Sequence, residues 1–268
     1  MNEIETDELL TTFIDIPYTN FSNNWGGGSD GIPPIYLGSE VEQKNIDVTI
    51  EILAYDYLDY PLLRDYLYGI FKFGRPFYVV DNRQPGKRHK VILESDFIPT
   101  KHNPTNGTAT IPLTTVDIHY AESIKTTADI DKNGLRYGDG WSYGMGLLYD
   151  DESHKYTHTG TSFKVYNAGD VPIHPFEQDL KITIDDVVGS SEYLQLENTT
   201  NGSTFRVTEG VKSNQTIVLD GANITSNGTQ YLRKTNRQFI ELAPGWNEFK
   251  IMGALSARVA FDHPFYYL

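Results

Sequence analysis

Phe163-Lys164-Val165-Tyr166-Asn167-Ala168-Gly169-Asp170-Val171-Pro172 and Phe239-Ile240-Glu241-Leu242-Ala243-Pro244-Gly245-Trp246-Asn247-Glu248 decide the fold of this chain. Each joins a strand-like run to a turn constrained by Gly and Pro. Asn and Asp in such turns bond their own backbone, and Gly supplies the positive φ that other residues resist. The pair predicts a small β-sandwich in the C-terminal part of the chain. Gly169 is expected at positive φ, so that Gly169→Val would force a disfavoured backbone.

Short strands are expected on either side of these turns, at 162–166, 180–184, 193–197, 203–207, 215–219, 238–242, 247–251 and 256–261. Their spacing is that of a sandwich. The N-terminal half reads differently. Asn45 to Leu53 alternates with period two, placing Ile46, Val48, Ile50 and Ile52 on one face of a half-buried strand. A helix follows over 59–73, with Asp59 as N-cap, Pro61 in the first turn and Gly74 just past the end. Leu62, Leu63, Leu67, Ile70 and Phe71 form its core stripe. A hairpin is expected from 77–80 to 90–94, turning at Asp81–Gly86. A strand over 108–119 contains Pro112, which predicts an edge or a bulge. Asn23 to Pro34 is rich in Gly and reads as a mobile loop.

Composition narrows the function. The 18 Tyr and 13 Phe, with 23 Gly and 13 Pro, suit short strands joined by tight turns. The formal charge of −14 opposes nucleic acid and anionic membranes, so neither is expected as a partner. Arg83, Lys87, Arg88 and Lys90 form the one basic run and read as a solvated turn. There is no Cys, which excludes thiolate metal sites and Cys nucleophiles. Met1 to Glu8 is acidic where a signal peptide is basic, so export by an ordinary signal is not expected.

No catalytic constellation stands out, and no catalytic residue or cofactor is assigned. Asp129-Ile130-Asp131-Lys132-Asn133-Gly134 matches the first half of an EF-hand loop, making Asp129, Asp131 and Asn133 candidate Ca²⁺ ligands. Gly140 stands where the bidentate Glu would be, so the alternative is an acidic turn. His154 and His158 are four apart but lack the Glu of a zinc-protease helix. Trp141 and Trp246 are candidate sugar-stacking platforms, with core packing as the competing reading.

An ordered series of motifs carries a resemblance. After a loop ending in Gly38 come the strand at 45–53, the helix at 59–73, Gly74-Arg75-Pro76-Phe77-Tyr78, Pro85 to Val91, and Val116 to Ser123. Asn167 to Pro172, Pro175, Leu242 to Asn247, and Phe261-Asp262-His263-Pro264-Phe265-Tyr266-Tyr267 complete it. Over about residues 35–268 the chain resembles the distal tail protein family of tailed bacteriophages, notably those infecting Gram-positive bacteria.

The resemblance implies a mainly β protein: an N-terminal split β-barrel with one α-helix, and a C-terminal galectin-like β-sandwich. The expected division is 1–122 for a ring-forming domain, 123–161 for a linker or insertion, and 162–268 for the sandwich. It implies a structural virion protein with no enzymatic activity, forming a homohexameric ring at the tail tip or baseplate and assembled in the host cytoplasm. Its partners would be further copies of itself, the tail tube protein, the baseplate hub or tail-associated protein, and the receptor-binding protein. The sandwich lacks the His-x-Asn-Pro-Arg pattern of sugar-binding galectins. The alternative function is a carbohydrate-binding module, or lectin, contacting cell-surface glycans.

Overall fold

A computed structural model describes residues 9–28, 33–71 and 74–268 of the chain. The acidic residues 1–8 therefore lie outside the described residues, as do 29–32 of the expected loop and 72–73 of the expected helix. The fold is mainly β. It divides into two compact units, one running through Asp81 and resuming over His89–Tyr120, the other comprising Asn82–Arg88 and Ala121–Leu268.

The N-terminal unit is built on strands β1 (Leu9–Asp15), β2 (Phe21–Gly26), β3 (Ile35–Val41) and β4 (Asn45–Leu53), helix α1 (Asp59–Ile70), and strands β5 (Phe77–Val79), β6 (Lys87–Leu93), β7 (Thr100–Lys101) and β8 (Asn106–Thr115). The residues of β6 that belong to this unit begin at His89. Its sheet runs β1-β4-β8-β6, with β5 on β6 and β7 on β8, all antiparallel. The period-two pattern of β4 does what it predicts. Ile46, Val48, Ile50 and Ile52 are buried with Ala109, Ile111 and Leu113 of β8 and with Tyr60, Leu67 and Phe71 of the helical segment.

The expected helix is corrected in two places. Asp59 is the first helical residue and not the cap; the Asp56 carboxylate accepts the Leu58 and Asp59 N–H groups at 2.7 and 3.0 Å. Leu62 is 67% exposed and faces away from the core. Its neighbours Leu63 and Ile70 pack partly against the core instead.

Pro112 lies on an internal strand, paired along its length with β4 opposite Asp47. Its carbonyl accepts Glu94 N–H at 3.0 Å, on the side away from β4. The ring nitrogen of the same residue points that way too, so the ladder to β4 loses no bond. The Gly-rich stretch is also not all loop, since Asn23–Gly26 lie within β2.

The C-terminal unit contains β9 (Ala121–Ser123), helix α2 (Thr127–Asn133), β10 (Thr157–Gly160), β11 (Ser162–Asn167), β12 (Lys181–Val188), β13 (Leu194–Asn198), β14 (Thr204–Val207), β15 (Ile217–Asp220), β16 (Asn223–Ser226), β17 (Thr229–Gln230), β18 (Gly245–Met252), β19 (Ser256–Asp262) and β20 (Tyr266–Tyr267). Two sheets, β10-β19-β12-β15-β16-β17 and β11-β18-β13-β14, make the sandwich. Phe261 of β19 meets Phe249 of β18 at 5.0 Å and Phe163 of β11 at 6.1 Å between ring centroids, joining the two layers. The stretch 238–242 is not a strand; only Leu242 forms a bridge, to Ile173.

Residues 123–161, read from the sequence as linker or insertion, pack within this unit. Thr127 Oγ1 donates to Phe261 O at 2.9 Å and accepts His263 N–H at 3.1 Å. Ser123 Oγ accepts Phe265 N–H at 2.9 Å, and β9 pairs with β20. Arg88 meets Glu122 at 2.7 Å, with the carboxylate side chain only 7% exposed. The closing motif Phe261 to Tyr267 is thus the partner of the segment after Tyr120.

Gly245 has the positive φ the turn reading requires, at 80°. Gly169 does not, which overturns the expected mechanism there. Gly is needed at 169 for space: a Cβ would lie 2.5 Å from Tyr266 O.

Candidate functional site

The feature of the N-terminal unit that packing does not explain is the hairpin β2–β3. It is a sheet of two strands that pairs with no other strand among the described residues. The register runs from Phe21 opposite Val41 to Gly26 opposite Ile35, with an irregularity between Asn24 and Trp25. Polar side chains tie the strands together: Asn24 Nδ2 donates to Glu40 at 3.1 Å, and Ser39 Oγ to Asn23 Oδ1 at 2.5 Å. At the hairpin's base Asn20 and Glu42 are bonded through both backbone and side chains.

No residue of either strand is buried. Trp25, Ile35, Tyr36 and Leu37 are each more than half exposed, and the Trp25 and Tyr36 rings meet edge-on at 5.4 Å. An isolated two-stranded hairpin is only marginally stable in water. Large apolar side chains gathered on such an element mark an interaction surface.

Two further surfaces of the same unit share this character. Strand β1 ends the sheet, and among the described residues its outer edge has no ladder partner. Leu9 anchors it in the core, while Phe13 is 63% exposed. Open edges of this kind template pairing with another chain. On α1, Leu62 and Tyr66 are exposed four residues apart, continuing a stripe that begins at Leu58. That spacing stacks side chains on one helix face.

The candidates named from sequence sit elsewhere and are not assembled into a site. Asp129, Asp131 and Asn133 lie on α2, not in a loop. Residues two apart on a helix point in different directions. The two carboxylates are also occupied, Asp129 by Thr126 N–H and Asp131 by Tyr156 N–H and the Thr157 hydroxyl. Among the described residues no group of three or more His, Asp or Glu is placed to hold a metal ion.

Trp141 is 2% exposed and packs at 5.9 Å from the Phe265 ring, so it offers no face to a sugar. Trp246 is half-buried against Tyr166 at 5.1 Å. His154 and His158 bond backbone carbonyls, of Leu148 and Lys155. Two residues of the basic run pair with carboxylates and a third lies over a ring. Arg88 pairs with Glu122, Lys90 with Asp117, and the Lys87 ammonium lies 4.0 Å from the centroid of the Tyr267 ring.

Sequence reasoning missed the hairpin because Trp25, Ile35, Tyr36 and Leu37 flank a Gly-rich stretch that reads as loop. The available signal was the density of large apolar residues on both sides of it.

Residues 26–115 match the phage tail protein RIFT-related domain. Among solved structures, the Dit protein of phage SPP1 shares the fold with a TM-score of 0.65 at 10% identity, over 97% of this chain and 94% of that one. That protein is described as a paradigm of the hub adsorption apparatus of phages infecting Gram-positive bacteria. The baseplate of phage p2 in its activated conformation also matches, at 13% identity over 98% of this chain and 95% of that chain, with a TM-score of 0.39. No curated protein matches. Residues 26–115 are thus similar to a phage tail protein domain, and the chain has the fold of the SPP1 Dit protein.

Proposed function

We propose that this protein forms a closed ring, of six copies, at the distal end of the tail. The ring joins the tail tube to the baseplate hub protein and to the receptor-binding proteins. It assembles in the host cytoplasm and works by geometry, with no bond made or broken. The N-terminal unit supplies the ring contacts and the C-terminal sandwich the docking platform. The number six and the named partners follow from the resemblance to distal tail proteins.

The observation that carries the ring is the β2–β3 hairpin, apolar and, among the described residues, paired with no other strand; it lies in the same unit as β1, whose outer edge beyond Leu9 has no ladder partner among the described residues. A surface that binds a different surface on the next copy is heterologous, and heterologous contacts generate rings when the rotation closes. Adding a strand to an open edge is a recurrent way to make such a contact. The chain has no Cys, so introduced thiols report neighbours cleanly. In a Phe13→Cys, Leu37→Cys variant, oxidation is expected to give a ladder of linked chains ending at six. A product confined to the monomer under oxidising conditions contradicts the proposed contact.

A further inference from the structure

An open cleft of about 550 Å³ lies in the C-terminal unit, outside the sandwich strands. Its walls are Ile130 and Leu135 on the apolar side, Tyr137 and Tyr149, and the carboxylates Asp150 and Asp151, with Asp131, His154 and Lys155 also lining it. Tyr149 is one of three tyrosines in mutual contact. Tyr137 stacks on Tyr143 at 4.5 Å with rings 5° from parallel, and meets Tyr149 at 5.6 Å. Tyr143 and Tyr149 are 77% and 78% exposed, so each leaves a face open. Ligand sites are clefts lined by aromatic side chains with a few polar groups, and exposed apolar patches mark interaction sites.

The segment that carries the tyrosines is held firmly. The Ser153 N–H donates to Asp150 Oδ1 at 2.7 Å, and the buried Ser153 hydroxyl to Asp150 O at 3.0 Å. His154 Nε2 donates to Leu148 O at 2.7 Å. The Tyr267 and Tyr166 hydroxyls donate to Met145 O and Gly146 O at 3.0 and 3.2 Å. The cleft is preformed, so a ligand would not have to order this segment.

Its chemistry is that of a receptor for an organic cation. Asp131 already spends both oxygens on Tyr156 and Thr157, and Asp150 one on Ser153. Asp151 has no hydrogen bond or ion pair among the described residues. Three carboxylates against the single ammonium of Lys155 leave the cleft negative by two charges. Ring faces attract cations through their quadrupole, and aromatic cages select ammonium groups this way. The half-buried Leu135, backed by the buried Ile130, suits the methylene stem of a long basic side chain, whose head stays polar.

We propose that this cleft receives a lysine or arginine side chain of a partner protein. The stem lies on Leu135, the charged head over Tyr149 and against Asp151. The site is independent of the ring contact, since it lies in the other unit and is tested with a small probe.

The test is saturation-transfer NMR on the full chain with Nα-acetyl-lysine amide as probe and its Nε-acetylated form as neutral control. Glucose and glucosamine provide the glycan arm. The lysine probe is expected to bind at least tenfold more tightly than its neutral control. Tyr149→Ala and Asp151→Asn, both at exposed positions, should each weaken it tenfold with the melting temperature unchanged. Equal binding of probe and control, no binding, or binding unaffected by either variant overturns the proposal. So does binding of glucosamine alone, which would make the site a glycan subsite.

Discussion

Asn167 stands opposite Gly245 in the ladder between β11 and β18, so the two turns that reveal the sandwich in the sequence are one structural unit. Each is organised by a buried Asn. Asn167 Nδ2 donates to Val171 O at 3.1 Å while its Oδ1 accepts Gly169 N–H at 3.0 Å. Asn247 Oδ1 accepts Ala243 N–H at 2.8 Å and Asn198 Nδ2 at 2.9 Å, and its Nδ2 donates to Ala243 O at 2.8 Å.

The two glycines of this unit differ in kind, and substitution should show it. At Gly245 φ is 80° and a Cβ would meet nothing within 4 Å. Gly245→Ala should cost about 1 kcal/mol, the penalty of the left-handed region, and Gly245→Asn less. At Gly169 a Cβ would lie 2.5 Å from one backbone atom of Tyr266 and 2.8 Å from another. Gly169→Ala should cost about 2–3 kcal/mol, with no relief from Asn, because overpacking against backbone displaces it. Chemical denaturation of the four variants checks the pattern; rescue of position 169 by Asn would contradict it.

Asn247→Ala removes four hydrogen bonds at a fully buried position and leaves Asn198 Nδ2 one partner short. Stranded buried polar groups cost about 1–3 kcal/mol each, so a loss near the upper end is expected. Denaturation midpoints measure it. A loss below about 1 kcal/mol would show that water satisfies these groups.

The C-terminal unit should weaken in mild acid. His263 is fully buried, its Nδ1–H bonded to Pro264 O at 3.0 Å and its Nε2 without a partner. Burial lowers its pKa to about 4 from 6.5, with Asp262 opposing the shift. The unfolded chain therefore binds the proton first as pH falls. The contribution of the neutral ring is complete above pH 6.5 and is lost between there and about pH 4, amounting to about 3 kcal/mol. His263→Gln should flatten this part of the stability–pH curve. An unchanged slope in the variant would assign the acid sensitivity to other groups.

Much of the core was legible. Period two gave the buried face of β4, and Leu67 and Phe71 gave the inner face of α1. Leu67 is wholly buried and Leu62 67% exposed. Leu67→Ala should thus cost about 2–5 kcal/mol and Leu62→Ala little, as thermal unfolding would show.

What was not legible depends on tertiary context. The helical spacing of Leu62 is right for the core, yet it lies on the outer stripe with Tyr66. The strands β17 and β20 have two residues each, too short for any period. The polar segment after Ala121 shows no pattern, because its order comes from Ser123 and Thr127 bonding the distant Phe261 to Phe265 backbone. The hairpin β2–β3 was hidden for a different reason: its apolar residues flank a Gly-rich stretch that reads as loop, and only the structure shows that no residue of its two strands is buried.

The central claim is that the N-terminal unit closes a ring, and the mass of the purified protein by light scattering tests it most directly. One chain is 30.3 kDa. The account predicts a species of six times that mass, and dissociation to folded monomers when Trp25 and Leu37 are both changed to Asp. A protein that stays monomeric at every concentration, or an oligomer indifferent to those two substitutions, would contradict it.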